Sequence, residues 1–159
     1  MGIKLFRSSA GSGKTFTLVL EYLTLLYRSS SSHAFRHILA LTFTRKATAE
    51  MKQRIVGALQ SFQSNDVVAD PMKKELIERV PMSEEEFHAK SKAIYRALIH
   101  HYDRFHVTTI DSFLVGLVRS FGPELNAHAE ASIELNTEKV RYESSEKLLK
   151  KSCLLYTSL

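Results

Sequence analysis

A parallel α/β sheet flanked by helices is the fold class this sequence predicts. Three observations predict it. Short apolar runs alternate with longer segments of helical periodicity. The middle run, ILALTF at 38–43, is continuous rather than alternating, as in strands covered on both faces. A glycine-rich turn stands between the first run and the first helical segment, where a ligand-binding loop of such a fold belongs. Three strands are few for a complete sheet of this type, so the chain reads as part of a domain.

The elements follow in order. IKLFR at 3–7 is a short strand. KTFTLVLEYLTLLY at 14–27 is apolar nearly all round, as a helix buried on several sides would be. Ser29 to Ser32 form a polar loop, and residues 38–43 are the second strand. From Lys46 to Phe62 the period becomes helical, with Met51, Ile55, Leu59 and Phe62 on one stripe. Gln63 to Asp70 is polar and ends at Pro71. Ser83 followed by Glu86 spells a capping box, opening a helix through Phe87, Ile94, Leu98 and Tyr102. VTTI at 107–110 is the third strand. Asp111 or Ser112 can cap the next helix, whose inner face is Phe113, Leu114, Leu117, Val118 and Phe121. Gly122-Pro123 stops it. Residues 124–151 are polar and helical toward their end. SCLLYTSL at 152–159 changes character abruptly, which leads us to expect truncation with a few non-native residues appended.

Composition narrows the function classes. At 44% hydrophobic and 25% charged, the chain is neither collagen-like, coiled coil nor disordered. Its net charge is +5. Residues 1–60 hold nine Lys and Arg against only Glu21 and Glu50, a local balance of +7. A basic N-terminal segment points to a polyanionic partner there, although a solvated basic face has the same composition. The single cysteine, Cys153, excludes an intrachain disulfide and a multi-cysteine zinc site. The seven histidines show no metal-ligand spacing and read as surface or packing residues. No apolar run approaches 18 residues, so no transmembrane helix is expected. The start, MGIKLFRSSAGSGKT, has neither a signal-peptide core nor the Ser or Thr of a myristoylation site. These features fit a cytoplasmic protein.

The first chemical signal is Gly11-Ser12-Gly13-Lys14-Thr15. This composition yields roughly 0.3% of one such match by chance. Phosphate needs converging backbone N–H groups, which a tight glycine turn and a helix N-terminus supply. Ser8, Ser9, Ala10, Gly11, Ser12 and Gly13 would form the cradle. Lys14 would reach the β- and γ-phosphates of ATP, and Thr15 would hold Mg²⁺ through its hydroxyl. Ser8 stands where Gly or Ala is usual, and its small side chain is compatible with loop closure. Such a loop alone leaves kinases, GTPases, transporters and motors open.

The second signal is Phe43 with its neighbours. Thr42 and Thr44 lie at the C-terminal end of the second strand, the edge where open α/β sheets bind ligands. By pattern alone Phe43 reads equally well as a core aromatic or as a ring stacking on an unpaired base. Arg45 and Lys46 either pair with backbone phosphates or form a solvated face.

Three strings together carry a family resemblance. RSSAGSGKTFTLVLEYL at 7–23 resembles the opening of superfamily-1 helicases of the UvrD/Rep class, most of all the RecB/AddA-type helicase–nuclease subunits. ILALTFTRKATAEMKQRI at 38–55 is similar to that class's motif Ia almost position for position. TIDSF at 109–113 resembles its TxHSF motif, with Asp111 where His is usual. A carboxylate would repel phosphate, so Asp111 reads as a helix cap and not a DNA contact.

The resemblance implies a P-loop NTPase of RecA-like fold, incomplete, over 1–122, and the start of a helical inserted subdomain over 123–159. It implies an ATP-dependent, Mg²⁺-requiring helicase moving 3′→5′ in DNA repair and recombination. It implies single-stranded DNA on Thr42, Phe43, Thr44, Arg45, Lys46, Thr109 and Ser112, and a partner subunit of a helicase–nuclease. Lys14 and Thr15 would be the catalytic residues of this segment. The class's adenine-reading glutamine motif has no counterpart ahead of Ser8. Neither the strand ending in Asp-Glu nor the arginines of the second motor domain appear. The chain alone is therefore expected to be inactive. A rival reading is a non-hydrolysing P-loop module that binds nucleotide or single strands. A small-molecule kinase is a more distant one, since it has no use for a Phe-Thr-Arg-Lys edge.

Overall fold

The computed structural model describes residues 13–63, 70–121 and 137–156. The expected strand at 3–7, most of the phosphate loop, Gly122-Pro123 and the last three residues lie outside that set. Helix α1 (Lys14–Arg28) buries Val19, Leu20, Tyr22, Leu23, Leu26 and Tyr27 and leaves Leu18 and Leu25 exposed. Its apolar surface is thus wide but not complete. The serine loop that follows is closed by its own side chains: Ser29 Oγ accepts from Ser31 N–H, and Ser31 Oγ from His33 N–H. A 3₁₀ turn at Ala34–His37 then buries Phe35.

Strand β1 (Ala40–Thr42) and strand β2 (Val107–Thr109) pair in parallel, Ala40 with Val107, Leu41 with Thr108 and Thr42 with Thr109. The parallel pair agrees with expectation. Coverage on both faces does not. Val107 and Thr109 are buried, whereas Leu39 and Leu41 are exposed. Among the described residues only one side of the pair is well covered, and α2 (Arg45–Ser61) packs against both strands. A run of apolar residues records its own hydrophobicity and says nothing of which neighbours arrive to cover it.

Helix α2 buries Met51, Ile55 and Leu59, with Phe62 just past its end, as its 3.6-residue stripe predicts. Helix α3 (Pro71–Arg79) was not expected. Asp70 caps it by accepting from Met72 N–H at 2.9 Å, and Pro71 takes the first helical position. Helix α4 (Glu84–His100) opens on the predicted capping box: Glu86 N–H donates to Ser83 Oγ, and Ser83 N–H to Glu86 Oε2. It ends at His100. Tyr102 therefore belongs to a 3₁₀ turn and is half exposed, not part of the helix.

The core joins these helices. Tyr27 stacks on Phe87 with centroids 5.0 Å apart, and its hydroxyl bonds to the fully buried Ser91 of α4. Lys90 donates to the Tyr27 carbonyl at 2.7 Å. Arg79 of α3 bridges Glu21 of α1 and Glu75 of its own helix.

Contacts divide the chain into two compact units, Met1–Phe113 and Leu114–Leu159. Helix α5 (Ile110–Ser120) runs through the division. Of the expected inner face, Leu114, Leu117, Val118 and Phe121 are exposed and Phe113 is half-buried. Helix α6 (Thr137–Tyr156) is polar, with Tyr142, Leu148 and Leu149 exposed. It runs into the 152–159 stretch without a break at Ser152. No described helix is long and apolar enough to cross a membrane.

Candidate functional site

Gly13 closes the described end of the expected phosphate loop. It sits at φ 78°, ψ 18°, in the left-handed region that glycine enters without strain. From there Lys14 and Thr15 start α1. Helices α2, α3, α4 and α5 are capped by Thr44, Asp70, Ser83 and Thr109. Helix α1 has no side-chain cap and no acidic residue in its first turn. Among the described residues, its leading N–H groups and the positive end of its dipole meet no side-chain cap and no acidic partner. Lys14 is exposed and makes no ion pair among the described residues. Among the described residues, this end of α1 offers backbone N–H groups and one exposed lysine. Ser8, Ser9, Ala10, Gly11 and Ser12 lie outside the described residues.

The second cluster lies at the C-terminal edge of the sheet. Thr42 and Thr109 are partners in register, so segments 67 positions apart in sequence end side by side. After β1 the chain turns through Phe43 into α2. Phe43 is 86% exposed, the most exposed large apolar side chain described. It touches no other aromatic ring among the described residues. Thr44 Oγ1 accepts from Ala47 N–H at 3.1 Å, capping α2. Arg45 and Lys46 follow on the first turn, exposed and without ion pairs among the described residues. Residues 43–46 thus form one continuous surface that is aromatic at one end and doubly cationic at the other.

The edge of β2 differs from expectation. Thr109, not Asp111 or Ser112, caps α5: its Oγ1 accepts from Ser112 N–H at 3.1 Å and donates to Ser112 Oγ at 2.8 Å. Thr109 is 7% exposed. Its hydroxyl is occupied in the cap, while Ser112 and Asp111 are exposed. Asp111 occupies the first turn of α5, where its charge meets the positive end of the dipole. Among the described residues no three His, Cys, Asp or Glu side chains are placed to hold a metal ion.

One residue of this edge escaped the sequence reading. Thr48, on the first turn of α2, bonds to Thr42 and to the Thr44 carbonyl. A threonine inside a helix gives no signal in a sequence, because only the turn geometry brings its hydroxyl back to the strand end.

The chain is similar to proteins of known name. RecBCD enzyme subunit RecB of Escherichia coli (strain K12) is 34% identical over 88 residues, 50% of this chain and 8% of that protein. An ATP-dependent helicase/nuclease subunit of Moorella thermoacetica is 27% identical over 117 residues, 74% of this chain and 7% of that protein. A probable DNA helicase II homolog of Mycoplasma pneumoniae is 41% identical over 66 residues, covering 42% of this chain and 9% of that protein. The chain spans less than a tenth of the length of each. No solved structure matches. The UvrD/REP helicase N-terminal domain matches residues 2–157, nearly the whole chain. With the uncapped loop–helix junction at Gly13 and the threonine-bounded edge after β1, that match identifies the chain as a member of the UvrD/REP helicase N-terminal domain family.

Proposed function

We propose that this chain is the leading part of an ATP-driven DNA helicase, with a RecA-like motor segment over 1–122 and the start of a helical insert over 123–159. The observation that carries the reading is the surface at 43–46 at the C-terminal edge of a parallel sheet. There a bare aromatic ring is followed by two cations that make no ion pair among the described residues. Phe43 stacks on an unpaired base, and Arg45 and Lys46 meet the backbone phosphates with the N-terminus of α2 behind them. Thr42, Thr44 and Ser112 line that edge, and Thr109 shapes it through its cap. ATP would be held at the start of α1. Lys14 would neutralise its terminal phosphates, the segment 8–13 would donate N–H groups, and Thr15 would supply a hydroxyl to Mg²⁺. ATP supplies the free energy that drives the motor along a single strand, with 3′→5′ polarity. Several relatives are named as subunits of larger enzymes, which supports a partner subunit, and we place the protein's work in recombinational repair in the cytoplasm.

The test separates stacking from charge. In the longer protein, Phe43→Ala should weaken binding to a labelled oligonucleotide by roughly 1–3 kcal/mol while leaving the salt dependence unchanged. Replacing Arg45 or Lys46 with Ala should lower the slope of log K against log salt by about 0.7 per lost phosphate contact. Fluorescence anisotropy over a salt series reads both, with circular dichroism as the folding control. Normal binding by Phe43→Ala together with early melting would make the ring a packing residue and remove the stacking role.

A further inference from the structure

We infer that Thr48, which makes no DNA contact in this reading, is a positioning residue for the strand-binding turn. Its polar contacts converge on the segment that carries Phe43. Thr48 Oγ1 lies 2.6 Å from Thr42 Oγ1. Thr48 Oγ1 is also 3.1 Å from the Thr44 carbonyl, as is Thr42 Oγ1. Thr48 N–H donates to that same carbonyl at 3.0 Å. Two hydroxyls have two protons between them. One proton bridges the two oxygens and the other goes to the Thr44 carbonyl, and either order satisfies every partner. The Thr44 carbonyl therefore keeps two donors at all times, one of them a hydroxyl.

Phe43 lies between Thr42 and Thr44, so this closed set of bonds holds its backbone from both sides. Its side chain has nothing comparable. The ring is 86% exposed, and only the turn fixes where it points. A ring already held outward loses less freedom when a base stacks on it, which strengthens binding without a new contact. Removing the Thr48 hydroxyl leaves Thr42 free to bond the carbonyl directly but removes the bridge to α2. The turn is then tied to the helix only by backbone and by the Thr44 cap on Ala47 N–H.

The inference rests on the stacking role of Phe43, and the experiment separates the two. The chain contains no tryptophan, so Phe43→Trp places a single indole reporter at this position. In that background Thr48→Val removes the hydroxyl and keeps the shape, and Thr48→Ser restores the hydroxyl. Each variant is measured without DNA by the anisotropy of indole fluorescence, with labelled oligo(dT) by titration, and by thermal melting. The valine variant should show lower indole anisotropy in the folded state and bind oligo(dT) about 3- to 10-fold more weakly, one lost hydrogen bond's worth. The serine variant should recover both. Equal indole anisotropy and equal affinity in the valine variant and its Phe43→Trp parent would overturn the role, whatever happens to the melting temperature. If Phe43→Ala binds oligo(dT) normally, the stacking reading fails, and the anisotropy arm still decides whether Thr48 orders the turn. Should the valine variant not fold, Thr48→Ala, a better helix former, takes its place in the same comparison.

Discussion

The Tyr22 hydroxyl is buried and meets no hydrogen-bond partner among the described residues. Such a group keeps its desolvation cost with nothing to offset it, about 1–3 kcal/mol. The ring itself packs edge-on against Phe105 and is 3% exposed. Tyr22→Phe keeps the ring and discards the hydroxyl, so the variant should be as stable as the parent or more so. Burial also pushes the Tyr22 phenol well above its ordinary value of 10.0. The folded state then holds this proton more tightly than the unfolded chain does. Stability from that source is intact below pH 10 and falls as pH rises from there toward the folded value. Tyr27 shifts the same way for the same reason, desolvation. Tyr22→Phe should therefore also melt less readily than the parent above pH 10, read by circular dichroism across a pH series. A variant that melts earlier at neutral pH would mean the hydroxyl has a partner after all. At this scale the sequence was informative where chemistry is local, and less so where burial decides. The Gly13-Lys14 junction is a local pattern, whereas the exposure of Phe43 was not legible from pattern alone, which fits a core aromatic equally well. Nor was the Thr109 cap, because Thr109, Asp111 and Ser112 can all cap and only the strand's end point selects among them.

Length governs which elements could be read from the sequence. Helix α2 runs 17 residues, so its apolar stripe repeats often enough to identify both the helix and its buried face. Helix α3 runs nine residues and buries only Met72 and Leu76, so its period shows once and is too short to read. The strands are three residues each, and their pairing was legible only from the alternation of elements around them. What covers β1 and α5 was not legible, because neighbours from elsewhere decide it. The same reasoning ranks the leucines of the helices. Leu59 is 0% exposed in the core stripe of α2, and Leu25 is 52% exposed on α1. Leu59→Ala should cost about 2–5 kcal/mol through lost burial and the cavity left behind. Leu25→Ala should stay within about 0.5 kcal/mol. Urea unfolding followed by circular dichroism gives both values, and equal losses at the two sites would contradict the assignment of α2 as the core helix.

For the whole molecule, the decisive fact is that 159 residues are few for the proposed motor. The chain spans 8% of E. coli RecB and 7% of the Moorella helicase/nuclease protein. In the proposed reading it would supply a lysine and a hydroxyl for the nucleotide and an edge for the strand. Turnover also needs an acid to orient the attacking water and to share the metal, and a cation on the far side of the leaving phosphate. The sequence contains no Asp-Glu pair at the end of an apolar run. Among the described residues no acidic cluster is placed to stand in for it. The 159-residue chain should therefore show negligible ATP turnover, with or without DNA, and no strand separation, while keeping measurable affinity for oligo(dT) through Phe43, Arg45 and Lys46. The longer protein should turn ATP over, and Lys14→Ala should abolish that turnover without lowering its melting temperature, since the lysine's partner is the ligand's charge. A coupled assay for ADP release, run on the chain, the longer protein and the Lys14→Ala variant of the longer protein, gives all three values. DNA-stimulated turnover by the chain alone would mean that it contains a complete hydrolytic site, and the division of labour argued here would have to be redrawn.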